Sequence, residues 1–171
     1  MTIRLTRPTT SLQAVAAALV LGTLTGCAAL ANLHAAPCME RIPAHASPAG
    51  VAYVTAIRTA TPGWAAVSDQ IRHQDGQMYP ADYRSQVAVD EKFLEDLRAI
   101  KFPASAQADA ARFEAALRAY IEFVQTSADQ PGYLSAHRDV DAQVNDDRSA
   151  ASAALRQTLH LPQARCVFHR P

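Results

Sequence analysis

Several ingredients are scarce in this chain of 171 residues. Its six glycines are not gathered into a loop that could cradle phosphate, and no Gly-x-Ser-x-Gly stretch occurs. The sequence therefore gives no support to a phosphate loop or to a serine on a strand-to-helix elbow. Alternating apolar and polar residues are absent, and β-branched residues seldom cluster, so nothing reads as a strand. There is no Glu-x-x-His pair, which argues against ferritin-like di-iron chemistry. No cysteine and histidine spacing of zinc type occurs either. Net charge is missing too: 16 basic and 16 acidic residues balance, which gives no reason to expect nucleic acid as a partner.

What is present begins at the N-terminus. Arg4 and Arg7 are the only charges before an apolar run from Leu12 to about Leu24, and the run ends in Leu24-Thr25-Gly26-Cys27. The run is shorter than the ~20 residues a bilayer-spanning helix needs, but it fits the apolar part of a signal peptide. The two arginines are not adjacent, so a twin-arginine route is not indicated. Residues 1–27 resemble the signal and lipobox of bacterial lipoproteins. The resemblance implies cleavage before Cys27, lipidation of that cysteine, and a place on the extracytoplasmic face of a membrane. With Ala28 rather than Asp next in the chain, the outer membrane is implied where the host has one. An ordinary secretory signal cut near Ala29-Leu30-Ala31 is the alternative.

Cys27, Cys38 and Cys166 are the three cysteines, and an odd number in an exported protein asks for an explanation. Lipidation of Cys27 would supply one and leave Cys38 and Cys166 as a pair. In an oxidising compartment they would form a disulfide closing nearly the whole mature chain, worth about 4–5 kcal/mol in loop entropy. Two free buried thiols are the alternative. If Cys38 is tied down, residues 28–37 are a tether of at most ~35 Å. Loss of the signal removes two basic residues and no acidic ones, leaving fourteen against sixteen and a net charge of −2.

The expected organisation is a signal over residues 1–26, a lipidated cysteine and tether over 27–48, and one helical domain over 49–171. Alanine, leucine, arginine and the acids favour helix, and prolines mark the ends. A first helix begins near Pro48 with Val51, Val54 and Ile57 as its stripe. Thr61-Pro62-Gly63 is expected to break it, with Thr61 as cap and Trp64, Val67 and Ile71 on a second segment; a kinked single helix is the alternative. The second long helix starts at Pro80, with Asp82 in its first turn. Its stripe is Tyr83, Val87, Asp90, Leu94, Leu97 and Ile100. The third carries Ala106, Ala110, Phe113, Leu117, Tyr120 and Val124. The last runs from Tyr133 through His137, Val140, Val144, Asp147, Ala151 and Leu155 to Leu159. Four helical units with short links predict an all-α, antiparallel up-down bundle. The stretch from Phe93 to Ala104, with Leu155-Arg156 and Leu161-Pro162, is similar to segments of small helical lipoproteins of high-GC bacteria, a family that implies no active site.

Asp90, His137 and Asp147 interrupt apolar stripes. Buried charge is costly unless paired, so these three are the candidate ligand-binding residues, converging in a polar pocket inside the bundle. The opposing reading puts Asp90 and Asp147 at the surface beside arginines. His137 and Asp141 share a helix face, but two ligands do not make a metal site. His34, His45 and His169 fall in the tether and tail, and His160 at a helix end. Ser68, Ser127 and Ser149 have no recognisable base. Tyr53, Trp64, Tyr79, Tyr83 and Tyr133 suit core packing or a groove, and Tyr79 and Tyr133, near turns, could anchor a partner. The expectation is a non-catalytic envelope protein, held to the membrane through Cys27 and binding another envelope protein, with no metal and no cofactor. A lipoprotein binding a small ligand or metal through the three polar residues is the alternative.

Overall fold

The computed structural model describes residues 39–164. Five helices are present among them, with no strand: α1 (Pro48–His73), α2 (Pro80–Arg98), α3 (Ala104–Asp129), α4 (Tyr133–Ala136) and α5 (Arg138–Thr158). The expected all-helical bundle is what the chain forms, with α4 a single turn between two long helices. No helix among the described residues is long and apolar enough to cross a membrane. The cysteines at 27, 38 and 166 and the histidines at 34 and 169 lie outside the described residues.

Local chemistry sets the helix ends. Ser47 caps α1 by accepting from the Gly50 amide at 3.1 Å, and Pro48 follows in the first turn. The proline has no amide proton to leave unsatisfied and its φ suits a helix start. Arg72 and His73 occupy the last turn of α1, where cations meet the negative end of the helix dipole. The exit is a Schellman turn: Asp75 takes φ 54°, and the Gly76 amide donates back to the Ile71 carbonyl at 3.0 Å. The end of α5 repeats it, with His160 at φ 54° and the Leu161 amide on the Arg156 carbonyl at 2.9 Å. That turn folds Leu161 back into the core.

The expected break at Pro62 does not occur, and α1 is one continuous element of 26 residues. Pro62 removes the amide that would bond to the carbonyl of Arg58, an exposed residue within reach of water. Thr61 does not cap a new helix; it is buried and its hydroxyl donates to the Ile57 carbonyl at 2.8 Å. Packing carries the helix through. Gly63 lies so close to α2 that a Cβ there would be 2.7 Å from Val89 Cγ2. Val54, Ala60, Val67 and Ile71, on both sides of the proline, are all buried.

Pairs of contacts show each neighbour to be antiparallel. Between α1 and α2, Gln70 donates to Asp82 at 2.6 Å while Trp64 donates to Asp90 at 2.8 Å. Arg84 reaches Asp129 at 3.8 Å and Arg98 reaches Glu114 at 3.4 Å between α2 and α3. Thr158 donates to Asp109 at 2.6 Å, and Arg148 stacks on the Tyr120 ring at 3.9 Å, between α3 and α5. Tyr53 and Ser152 close the circle between α1 and α5 with a hydrogen bond of 2.9 Å. An aromatic row crosses the interior, from Tyr53 to Phe113 (6.2 Å), Phe93 (6.1 Å) and Trp64 (5.2 Å), each pair edge to face. That geometry suits the ring quadrupoles.

Candidate functional site

Asp90 is the candidate that lies deepest, with 0% of its surface exposed. The surface reading of this residue is therefore wrong: α2 turns the carboxylate into the bundle. There Oδ1 accepts from the Trp64 indole and Oδ2 accepts from the Gln86 amide, both at 2.8 Å. The single tryptophan thus buries its ring in the apolar row and gives its one donor to a carboxylate, which offsets the cost of burying both.

His137 is not on a helical stripe. The expected last helix is interrupted there: Gly132 enters α4 at φ 86°, α4 lasts four residues, and His137 joins it to α5 with φ −127° and ψ 45°. Its ring stacks on Tyr133 at 4.1 Å, and Nδ1 lies 2.9 Å from the Tyr133 carbonyl. A carbonyl only accepts, so Nδ1 carries a proton and donates. Asp141 holds the side chain of Asn145, which donates to it at 3.0 Å. Asp147 is exposed on α5 and accepts from Gln143 at 2.9 Å.

The structure does not bring Asp90, His137 and Asp147 together. Each has its own set of partners, in the α1–α2 interface, at the α4–α5 junction and on the outer face of α5. Among the described residues no group of three or more His, Cys, Asp or Glu side chains could hold a metal ion. Two of the open grooves among the described residues lie near these helices. One, of about 640 Å³, runs between α1 and α2 past Ala52, Ala56, Thr59, Lys92 and Lys101. The other, of about 400 Å³, is lined by Ile100, Phe102, Ala110 and Glu114. None of the three polar candidates lines either groove.

A different polar cluster is built into the opposite end of the bundle, where α1 begins and α5 ends. Arg156 is only 3% exposed and Glu40 only 8%. Arg156 Nη1 lies 2.9 Å from Glu40 Oε2 and donates to Oε1 at 3.1 Å, while Nε donates to the Pro162 carbonyl at 2.9 Å. The guanidinium also stands 5.9 Å from the Tyr53 ring. Burial pushes the Tyr53 phenol above its usual 10.0, against the opposing effects of the Ser152 hydrogen bond and the Arg156 charge. The tether expected to run to residue 48 is therefore attached to the bundle from Glu40 onward.

Sequence reasoning passed over Glu40, Arg156 and Asp82. Asp82 is buried, and besides the Gln70 amide it accepts from the Tyr79 backbone amide at 2.7 Å, tying the end of α1 to the start of α2. Its place in the first helical turn was legible; its burial was not. Glu40 and Arg156 are 116 residues apart, and nothing in local pattern links them.

No protein-family model matches the chain, and neither the curated proteins nor the solved structures compared with it give a match.

Proposed function

We propose that this protein is a lipid-anchored, extracytoplasmic helical domain that acts by binding a protein partner of the cell envelope rather than by catalysis. The observation that carries the reading is the apolar run ending in Leu24-Thr25-Gly26-Cys27. The clasp at Glu40 supports it by limiting the free tether. Residues 28–39 span at most about 40 Å when fully extended, so the bundle stays near the membrane. Among the described residues, Met39, Ile42 and Val51 are three of the five exposed large apolar side chains, and all three belong to the segment where the chain enters the bundle. They suit an end that faces lipid.

The other end holds the α1–α2 turn and the α3–α4 turn. It presents Tyr79, which is 49% exposed and whose hydroxyl donates to Gln77 at 3.0 Å. An exposed, amphipathic ring on a short turn is the kind of side chain that anchors interfaces. In the proposed orientation this end points away from the membrane and takes the partner.

The test has two parts. In cells, Cys27→Ser in the full chain should move the protein from the membrane fraction to the soluble fraction, and the wild-type chain should begin at a lipidated Cys27 by mass spectrometry. A Cys27 variant that stays with the membrane refutes the anchor. A photo-crosslinker at position 79 should capture an envelope protein that one at position 51 does not. Equal capture at both positions, or none at either, refutes the binding end.

A further inference from the structure

The even charge of the chain hides an uneven distribution. One end of the bundle is formed by residues 39–48, which enter α1, residues 99–104, which join α2 to α3, and residues 159–164, which follow α5. Arg41 and Lys101 are exposed in these segments, and neither belongs to an ion pair among the described residues. The one acidic residue of the three segments is Glu40, which is buried against Arg156. The opposite end is formed by residues 74–81 and 129–139. It exposes Asp75, Asp129 and Asp139 against Arg138 alone. The bundle therefore has a cationic end and an acidic end.

Apolar side chains stand beside the two cations. Met39 and Ile42 are exposed on either side of Arg41, and Val51 is exposed on the first turns of α1. The clasp keeps the first two outside. Glu40 points into the bundle while Met39, Arg41 and Ile42 around it are exposed. Drawing the apolar pair inward would pull Glu40 off Arg156 and leave a buried charge uncompensated. The larger groove is lined by Pro48, Ala52, Ala99, Ile100 and Lys101, so it brings further apolar surface to the same end. Cations and aliphatic side chains held out together suit the boundary of a bilayer, where phosphates meet the first and acyl chains the second.

We propose that this end of the bundle docks on an anionic lipid surface, with Arg41 and Lys101 on headgroup phosphates and Met39 and Ile42 entering the acyl boundary. Delivery to a membrane rests on the anchor proposed above; the docking is a property of the folded bundle. Each cation near such a surface is worth about fivefold in binding, so two of them bind weakly by themselves. A tethered bundle needs no more, because the tether makes docking an intramolecular event. What the charges then decide is orientation. The surface that attracts Arg41 and Lys101 repels Asp75, Asp129 and Asp139, and turns their end outward.

The experiment uses the protein as purified from cells, reconstituted in phosphatidylcholine vesicles with or without phosphatidylglycerol. Both kinds carry a phospholipid with a photoactivatable group near its headgroup, and the lipid-modified peptides are mapped by mass spectrometry. Adducts are expected on residues 39–51 and 99–104, and not on 74–81 or 129–139. Residues 99–104 are decisive, because they are far from the anchor in sequence. Their yield should rise about fivefold or more with phosphatidylglycerol and fall with added salt, which screens exposed charge. Arg41→Gln combined with Lys101→Gln should cancel the rise, and Arg138→Gln, at the acidic end, should leave it unchanged. Equal adducts at the two ends, a yield at 99–104 indifferent to phosphatidylglycerol, or a double variant that behaves as the wild type overturns the inference. So does capture of a protein in place of lipid by the crosslinker at position 51 in cells. The mass at Cys27 in the same sample tests the anchor separately: an unlipidated Cys27 beside the expected adducts refutes the anchor and leaves the docking standing.

Discussion

Gly63→Ala tests how an uninterrupted helix crosses Pro62. A Cβ at position 63 would stand 2.7 Å from Val89 Cγ2 and 3.1 Å from Cγ1. Valine is β-branched and stiff at χ1, so it cannot swing aside as a long side chain would. Forcing a methyl into a packed contact costs about 1–3 kcal/mol. Replacing glycine by alanine inside a helix returns about 1 kcal/mol. The net expectation is a loss of roughly 0–2 kcal/mol in the Val89 background, taking the difference of those two effects. With Val89→Ala the clash is gone and only the helix preference is left, so Gly63→Ala should there stabilise by about 1 kcal/mol. The coupling between the two positions should then be on the order of 1–3 kcal/mol, within the range for touching residues. Urea denaturation of the four proteins measures it, provided the slope stays constant so that midpoint shifts report stability. If Gly63→Ala has the same sign and size in both backgrounds, α1 does not approach α2 as closely as the structure has it, and the account of the unbroken helix fails.

Two further substitutions probe the buried polar groups. Trp64→Phe keeps an aromatic ring against Phe93 but removes the indole donor to Asp90, and should cost about 1–3 kcal/mol in urea unfolding, the usual range for depriving a buried acceptor of a partner; an unchanged midpoint would refute a stabilising role for this bond. Tyr53→Phe should lose ~1 kcal/mol at neutral pH with the bond to Ser152. It should also change the alkaline behaviour. The phenol's folded pKa is raised above its ordinary 10.0, so the unfolded chain loses this proton first as pH climbs, and the resulting stability is complete below pH 10.0 and lost as pH rises through the folded value. Midpoints measured through that range should therefore fall more steeply for the wild type than for the Phe variant. Parallel curves would refute the burial of the phenol.

Where the sequence carried its own punctuation, it was legible. Pro80 opens α2 and the residue after Pro103 opens α3, because proline fixes φ at a helix start and discourages helix before it. The stripes of α2 and α3 were read correctly, since three-four spacing over some twenty residues has few rival explanations. The errors came where tertiary contacts outvote local rules. Pro62 looked like a start, yet the apolar stripe on both sides of it packs on α2 and holds the helix together. His137 looked like a stripe residue, yet Gly132 at φ 86° and the ring contact with Tyr133 end one turn and begin another. Asp90 was correctly picked out as a polar residue on an apolar face. Its partner Trp64 could not be named, because they meet only when α1 and α2 are aligned. The pocket expected from Asp90, His137 and Asp147 failed for the same reason: spacing says which face a residue occupies, not which faces of different helices meet.

The directional contacts explain how these alanine-rich helices choose one alignment. Small side chains leave shallow ridges, and ridges are what normally fix how one helix sits on another. Sliding a helix by one residue moves each atom 1.5 Å along the axis and turns it by about 100°, which a smooth apolar face tolerates but a hydrogen bond does not. Each neighbouring pair carries at least one such bond or ion pair: Trp64 to Asp90 and Gln70 to Asp82 for α1 and α2, Arg98 to Glu114 for α2 and α3, Thr158 to Asp109 for α3 and α5, Tyr53 to Ser152 for α5 and α1. The exposed contacts among them are worth ~1 kcal/mol or less. The buried ones, at Asp90, Asp82 and Tyr53, penalise a slipped register by leaving a polar group without its partner. Asp90 thus has a sufficient structural reason to be where it is. The Glu40–Arg156 clasp secures no pair of helices; it fastens the segment that enters α1 to α5.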